Sequence, residues 1–396
     1  MSEWQTFCLK DLGKIVGGAT PSTNNPKNYG NKIVWITPKD LSTLQGRYIK
    51  KGSRSISRLG FKSCSCVLLP KHAILFSSRA PIGYVAIAKK RLCTNQGFKS
   101  IIPNKKIYFE FLYYLLKYHK DNISNIGGGT TFKEVSGATL GLFKVKIPPT
   151  YYEQQKIVRT LSILDQKIEN NHKINELLHK ILELLYEQYF VRFDFLDENN
   201  KPYQTSGGKM KFSKELNRLI PSGWSVRFLN HKIVSTYQPK TISKTLLNDS
   251  YSYSVYGGGG IIGRFTEYNH EQSEFIISCR GQCGISYLTL PKSWITGNAM
   301  VIRPTKSYTS KTYLYHTIKK YKLTNYITGS VQPQITRQNL STMPILIPKR
   351  KTLNKWNNIS SLLWNLIHNN MQSTQTLTAL RDFLLPLLLT QQVKPQ

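Results

Sequence analysis

The chain has 396 residues, of which 55 are Lys or Arg and 21 are Asp or Glu, so its formal net charge is +34. This excess excludes the balanced surface of an ordinary globular protein and predicts a polyanionic partner, nucleic acid first of all. No apolar run approaches the ~18 residues that a membrane span needs, and the first residues lack the apolar core of a signal peptide. We therefore expect a cytoplasmic protein that does not contact a membrane.

The charge is concentrated in two segments of the chain. Residues 1–150 contain 24 basic and 6 acidic residues, and residues 221–350 contain 16 and 4, whereas residues 151–196 contain 6 and 7. Codon bias in an AT-rich genome also enriches lysine, but it would not leave one segment neutral. The pattern predicts two basic domains that bind DNA and a neutral segment with another role.

Residues 1–150 alternate short β-rich runs with Gly and Pro. Strands are expected at 33–36, 66–69, 73–76 and 84–87, and a helix at 108–118. The pattern predicts an α/β (mixed α+β) domain whose strands need not be parallel. Basic clusters in this domain are predicted to grip DNA phosphates, the alternative for each being solvated surface charge; they are Lys50, Lys51, Arg54 and Arg58, then Lys89, Lys90 and Arg91.

A long helix is predicted after Pro148 and Pro149. At ~1.5 Å per residue, residues 157–189 would reach roughly 50 Å, which predicts a spacer between domains. A second apolar stripe, at Ile174, Leu177, Ile181 and Leu184, widens the apolar face toward another surface, the alternative being intramolecular core. Seam positions recur in the 4-3 spacing of a coiled coil: Ile157, Leu161, Leu164, Ile168, Asn171, Asn175, Leu178, Leu182, Leu185 and Tyr189.

A polar, turn-rich linker is expected at 197–220, before a second basic domain at 221–350. Residues 258–263 formally contain GxGxxG, but a dinucleotide loop needs a following helix, and here the sequence continues as a strand. We therefore expect a glycine turn in a DNA-facing loop. Side chains predicted to contact DNA in this domain, several of them able to pair with base edges, are Tyr256, Arg264, Arg280, Gln282, Gln332, Gln334 and Arg337.

The second half of the chain repeats the first with an offset between 199 and 202 residues. Short solenoid repeats have far shorter periods, so the offset predicts a duplicated domain followed by a helix. The second helix is expected at 351–396, and Pro386 is expected to kink or end it. Its seam is Trp356, Leu363, Ile367, Asn370, Thr374, Leu377 and Leu384; matched pairs include Arg79 with Arg280, Gly83 with Gly284, Thr94 with Thr296, Tyr113 with Tyr315, Leu164 with Leu363, and Asn171 with Asn370.

Catalytic and metal-binding signatures are missing from the sequence. The six cysteines form no CxxC pair and no zinc-type spacing with histidine, so six reduced thiols are expected. We find no Asn/Asp-Pro-Pro-aromatic motif for amine methylation, no Walker A sequence and no carboxylate pair typical of a nuclease. We therefore expect no catalytic residue, no metal site and no cofactor bound by this chain.

A set of motifs follows one order along the whole chain: Trp4, Leu12, Gly17, Pro21, Ile33–Ile36, Asp40, Ile147–Pro149, Glu153, Gln154, Lys156, Ile157, Leu164, Asp165, Ile168, Asn171, Tyr256–Gly263, Arg280, Gly284 and Leu384–Pro386. In this order of motifs, the whole chain resembles the specificity (S) subunits of type I restriction–modification enzymes. The resemblance implies two tandem target-recognition domains, 1–150 and 221–350, related by pseudo-twofold symmetry. It also implies two long antiparallel coiled-coil helices, 151–196 and 351–396, that join the domains and set the spacing of a bipartite site in double-stranded DNA.

The same resemblance implies partner subunits. Two methyltransferase (M) subunits would dock on the helices, restriction (R) subunits would join them, and these partners would bind S-adenosylmethionine, ATP and Mg. The second copy replaces Glu153 and Gln154 by Thr352 and Leu353, and Asp165 by Trp364, which predicts different or weaker docking there. A stand-alone tandem DNA-binding protein and a self-contained DNA-modifying enzyme remain the alternatives. The predicted docking residues are Glu153, Gln154, Ile157, Leu161, Leu164, Ile168, Leu178, Leu363, Ile367 and Leu377.

Overall fold

The chain forms two compact units. A computed structural model describes residues 3–79, 81–128, 133–248, 251–330 and 332–394. Unit 1 consists of Met1–Lys173 with Asn370–Gln396, and unit 2 consists of Ile174–Asn369. Both boundaries fall inside long helices, so each unit contains part of the first long helix and part of the last one.

Unit 1 is a mixed α/β structure, as the sequence predicts. Its largest described sheet has the strand order Gly13–Gly17, Lys99–Pro103, Ile74–Phe76, Val85–Ala88 and Tyr48–Ile49; a second sheet has the order Arg54–Ile56, Tyr29–Ile36 and Cys93–Thr94, and Gln5–Cys8 pairs with Lys144–Ile147. Its short helices are Leu9–Leu12, Pro38–Ser42, Arg58–Lys62, Phe109–Tyr118, Lys120–Asn125 and Gly137–Leu142. The strand predicted at 66–69 is wrong, because only Leu69 makes a bridge, to Leu92.

Unit 2 contains a corresponding set of strands. One sheet has the order Val234–Tyr237, Ala299–Pro304, Phe275–Ser278 and Ser286–Leu288; another has Gly260–Phe265, Tyr253–Gly257 and Trp294–Ile295; Ser225–Phe228 pairs with Pro344–Ile347, and Ile327–Thr328 pairs with Gln334–Ile335. Its helices include Lys311–Lys320 and Arg337–Leu340. Within the segment expected to be a linker, Met210–Ser213 pairs with Arg218–Pro221 as an antiparallel hairpin.

Equivalent backbone hydrogen bonds occur within each of the two units, in addition to the repeated sequence. The Ser78 N–H donates to the Gly97 carbonyl at 2.8 Å, and the Cys279 N–H donates to the Asn298 carbonyl at 3.0 Å. The duplication predicted from the sequence is therefore confirmed at the level of the backbone. The same comparison corrects one residue pair of the predicted repeat. The Asn95 N–H donates to the carbonyl of Ile36, and the Thr296 N–H makes the equivalent bond to the carbonyl of Tyr256. The partner of Thr296 in the repeat is thus Asn95 and not Thr94.

The first long helix is Tyr151–Tyr186 and continues as a π-helical turn, Glu187–Val191, while the C-terminal helix is Arg350–Leu389. In unit 1, the Asn171 side chain donates to the carbonyl of Asn370 at 3.4 Å, and Asp165, earlier in the first helix, pairs with Arg381, later in the C-terminal helix, at 2.8 Å. In unit 2, His179 lies edge-on to Trp364 and Tyr186 to Trp356. The helices are therefore antiparallel in each unit, as predicted.

Pro386 does not end the C-terminal helix. The helix continues through Leu389, and the carbonyl of Pro386 accepts a hydrogen bond from Thr390 N–H at 2.8 Å. Proline is tolerated here because the missing N–H removes one bond from the final turn, where apolar packing holds the chain. Leu385, Leu388 and Leu389 provide that packing in the core of unit 1.

Candidate nucleic-acid interface

Seven basic side chains predicted to bind phosphate are exposed on unit 1: Lys50, Lys51, Arg54, Arg58, Lys89, Lys90 and Arg91. Within the part of the chain that the structure describes, none of them forms an ion pair. Their charges are therefore available to an external polyanion.

A half-buried carboxylate fixes the backbone within the first of these clusters. Asp40 accepts the N–H of Ser53 at 2.7 Å and the N–H of Thr37 at 2.8 Å. Burial alone would raise the pKa of Asp40, but these hydrogen bonds outweigh it and lower that pKa. The basic segment 50–54 is thus attached to the domain by an ionised group, while its Lys and Arg side chains remain exposed.

On unit 2, five predicted DNA-contacting side chains are exposed: Arg280, Gln282, Gln332, Gln334 and Arg337. The loop 279–284 brings three of them together. Arg280 and Gln334 are paired in an antiparallel bridge. The Gln282 side-chain oxygen lies 3.8 Å from the position that a Cβ at Gly259 would occupy. Gln332 lies two residues before Gln334, and Arg337 begins the helix Arg337–Leu340.

The glycine-rich segment is a β-turn region, as the sequence predicts. Tyr253–Gly257 pairs with Gly260–Phe265, so a strand and not a helix follows the glycines. A Cβ at Gly258 would lie 2.6 Å from the carbonyl oxygen of Arg280, which only glycine avoids. The segment therefore packs directly on the Arg280 loop, and it lacks the helix N-terminus that a dinucleotide site requires.

Two predicted DNA-contacting residues of unit 2 have other roles. Tyr256 is only 3% exposed, and its hydroxyl accepts the N–H of Leu290 at 3.0 Å, so it belongs to the core. The Arg264 guanidinium donates to the carbonyls of Tyr251 and Ser252. Arg264 therefore binds a neighbouring backbone segment, and these hydrogen bonds limit its ability to contact bases.

Half of the predicted docking residues are buried within their own unit: Gln154, Ile157, Leu161, Ile168 and Ile367. Gln154 accepts the N–H of Tyr108 at 2.7 Å and donates to the carbonyls of Lys106 and Pro148. These side chains form the chain's own core and are not available to a partner. Glu153 accepts a hydrogen bond from the Thr150 hydroxyl at the helix start. The four others, Leu164, Leu178, Leu363 and Leu377, are half-buried.

A different set of apolar side chains on the helices is exposed. In unit 2, Leu177 and Leu184 of the first long helix are 60% and 58% exposed, with Ile174 and Ile181 on the same stripe. In unit 1, Phe383 of the C-terminal helix is 65% exposed. Exposed apolar side chains at helical spacing are typical of surfaces that contact another protein.

A buried ionic network joins the first long helix to the domain of unit 1. Asp165 accepts the Tyr114 hydroxyl at 2.5 Å and pairs with Arg381 at 2.8 Å. Arg47 lies 3.4 Å from Glu169 and 3.9 Å from Asp165. Burial alone would lower the pKa of Arg47, whereas Tyr114 and the neighbouring carboxylates raise it above its ordinary value.

The corresponding junction in unit 2 is aromatic. Trp364 stands where unit 1 has Asp165, and His316 stands where it has Tyr114. His316 stacks on Tyr186 at 5.6 Å and meets Trp356 edge-on at 5.3 Å. Burial lowers the pKa of His316 to about 3, and within the described chain its Nε2 atom has no hydrogen-bond partner. The two junctions therefore use different chemistry at equivalent positions.

All six cysteines are free thiols. Over the described ranges, no cluster of three or more His, Cys, Asp or Glu side chains is arranged to hold a metal ion. In those same ranges no helix is long and apolar enough to cross a membrane.

Comparison with known proteins identifies the family. The profile described as the type I restriction modification DNA specificity domain matches residues 1–180 and 221–379. The type I restriction enzyme MjaIX specificity subunit of Methanocaldococcus jannaschii is 32% identical over 98% of this chain and 92% of its own. The HindI specificity subunit of Haemophilus influenzae is 31% identical over 46% of this chain and 40% of its own. The S subunit structure from M. genitalium shares the fold, with a TM-score of 0.59 at 18% identity over 98% of this chain and 96% of that one. The chain belongs to the DNA specificity subunits of type I restriction–modification systems.

Proposed function

We propose that this specificity subunit reads a bipartite site in double-stranded DNA, one half with unit 1 and the other half with unit 2. The observation that carries the proposal is the duplicated backbone framework with different exposed side chains on it. Ser77 exchanges backbone hydrogen bonds with Tyr84 and Gly83, and Ser278 does the same with Ile285 and Gly284, yet Pro81 stands where unit 2 has Gln282. Two equal frameworks with unequal surfaces are suited to two different short sequences, and exposed Lys and Arg supply the phosphate contacts.

The exposed apolar stripes of the helices are the proposed docking surfaces for two methyltransferase subunits. Leu177 and Leu184 in unit 2 and Phe383 in unit 1 remain uncovered in the chain itself. Burial of such side chains by a partner is favourable at about 25 cal/mol per Å² of apolar surface. The proposed partners perform adenine methylation and DNA restriction, and they bind S-adenosylmethionine, ATP and Mg, while this chain binds no cofactor. The complex acts on DNA in the prokaryotic cytoplasm.

The methylation pattern of host DNA tests the bipartite proposal. A host that expresses the complete system should carry a methylated motif of two short half-sequences separated by a fixed gap, and the motif should vanish when this chain is deleted. A continuous methylated motif, or none although all subunits are present, would contradict the proposal.

The purified chain distinguishes the alternatives. Methylation or cleavage of DNA by the chain alone, given S-adenosylmethionine or magnesium, would favour a self-contained enzyme. Tight sequence-specific binding without any stable methyltransferase association would favour a stand-alone binder. Co-purification with the methyltransferase subunit, lost on Leu177→Asp and kept in the matched exposed control Lys180→Asp, would support the docking surface.

A further inference from the structure

Unit 1 contains a backbone bridge equivalent to the bridge between Arg280 and Gln334 in unit 2, and the sequence repeat matches one of its two residues, Arg79, with Arg280. The Val135 N–H donates to the Ser78 carbonyl at 3.0 Å, and the Ile335 N–H donates to the Cys279 carbonyl at 3.0 Å. Arg79 follows Ser78 and pairs with Glu134 in an isolated antiparallel bridge. Arg280 follows Cys279 and pairs with Gln334 in the same way. The Arg79–Glu134 pair and the Arg280–Gln334 pair therefore occupy the same place in the two frameworks.

The two pairs differ in charge. Glu134 lies 3.7 Å from Arg79 and 3.4 Å from Lys99, and its side chain is 37% exposed. Gln334 offers a neutral amide beside an exposed Arg280. A carboxylate in a domain that is otherwise strongly basic is repelled by DNA phosphates unless cations compensate it. Arg79 and Lys99 provide that compensation, so Glu134 can lie at a DNA surface at little electrostatic penalty.

Each bridge lies beside a glycine with space at its Cβ position. Among the residues that the structure describes, no atom lies within 4 Å of the position that a Cβ would take at Gly281, next to Arg280, or at Gly128, which exchanges backbone hydrogen bonds with Glu134. Glycine at such positions lets another backbone approach closely. The polar groups of each pair are therefore accessible from outside.

The geometry points to the Arg79–Glu134 and Arg280–Gln334 pairs as base-reading sites, one in each half-site. The Glu134 carboxylate accepts a hydrogen bond from the exocyclic amino group of cytosine, while Arg79 and Lys99 hold it in place. Gln334 pairs with the N6 and N7 edge of adenine, and Arg280 pairs with guanine O6 and N7. The carboxylate of Glu134 and the amide of Gln334 stand at one framework position, so the two units recognise different base sequences. This inference rests on the proposed function, in which each unit reads one half-site.

Two reciprocal substitutions test it in the complete system. Glu134→Gln gives unit 1 the amide of unit 2, and Gln334→Glu gives unit 2 the carboxylate of unit 1. Each variant should change the methylated base sequence in one half of the motif and leave the other half and the gap unchanged. The two variants should change different halves. The altered base should lose on the order of 10- to 100-fold in relative preference. Glu271→Gln, an exposed change of the same kind on unit 2 whose Glu271 pairs with Lys292 at 3.7 Å, is the control and should leave the motif intact.

The outcomes separate this inference from the proposed function. A wild-type system without any bipartite motif defeats the proposed function. A bipartite motif that both substitutions leave unchanged, or change in the same half, overturns the base-reading pairs. If a variant abolishes methylation, its DNA preference is measured instead by binding. The purified variant complex selects sequences from a pool of random duplexes. Enrichment of a sequence altered in one half supports the inference, and enrichment of the wild-type sequence or of none overturns it.

Discussion

Replacing His316 with Phe should remove much of the acid sensitivity of unit 2. His316 lies among Tyr186, Trp356 and Trp364, and burial lowers its pKa from 6.5 to about 3. The folded protein therefore binds fewer protons at this group than the unfolded chain does. Stability that depends on the neutral ring is complete above pH 6.5 and is lost progressively as the pH falls toward 3.

The magnitude follows from the pKa difference. At pH 5 the unfolded histidine, with its pKa of 6.5, is largely protonated, whereas the folded ring is still neutral. The gap of ~1.5 pH units between the unfolded pKa and pH 5 corresponds to about 2 kcal/mol of lost unfolding free energy. That is a large share of the roughly 5–15 kcal/mol by which domains are stable. His368, whose pKa burial lowers to about 4, adds a loss of the same sign.

Urea unfolding followed by tryptophan fluorescence measures this effect, since Trp356 and Trp364 belong to the same cluster. Between about pH 7.5 and pH 5 the wild type should lose about 2 kcal/mol more than the His316→Phe variant. The same substitution at exposed His231 is the control and should leave the loss at its wild-type size. If the His316 variant loses as much stability on acidification as the wild type, the burial argument is wrong.

Four further substitutions probe other parts of the molecule. Lys51→Ala should weaken DNA binding about equally for all sequences and reduce the salt slope by about one, which anisotropy titrations at several salt concentrations measure; a sequence-dependent effect would contradict phosphate contact. Asp165→Asn should lower the unfolding free energy by about 2–3 kcal/mol, because half-buried Arg381 loses its buried carboxylate partner and keeps only the exposed Asp382; calorimetry that finds unchanged stability would refute this role. Leu177→Asp should weaken methyltransferase association without lowering the unfolding free energy, whereas Leu161→Asp should unfold unit 1, and the reverse pattern would restore the predicted seam as the docking face.

Much of the fold follows from local pattern. The 4-3 spacing from Ile157 to Tyr189 predicts the long helix because only a continuous helix keeps those positions on one face. The duplication was visible because hydrogen-bonded turns such as that at Gly83 and Gly284 need glycine at positive φ, 101° and 90° here. Such local requirements leave marks in the sequence.

The errors come from what local pattern does not encode. Apolar spacing indicates that a face is buried, but not which surface buries it, so the spacing predicts Leu161 and Ile168 as docking residues, whereas both are buried within unit 1. Tyr256 has the polar tip of a DNA-contacting residue, yet Leu290, 34 residues away, uses its hydroxyl. The run 66–69 has strand composition, but it lacks a neighbouring strand along its length. In each case a distant part of the chain decides.

The unequal copies have an internal explanation. Asp165 in unit 1 and Trp364 in unit 2 differ, and so do the residues around them. In unit 1, Tyr114 and Arg381 bind the carboxylate. In unit 2, His316, at the position of Tyr114, lies near the indole, and Leu182, at the position of Arg381, is fully buried. A carboxylate requires cations and donors when buried, and an indole requires apolar and aromatic neighbours, so the positions must change together. Trp364 is only 6% exposed. The substitution therefore changes how a helix attaches to its own domain, and weaker partner docking does not follow from it.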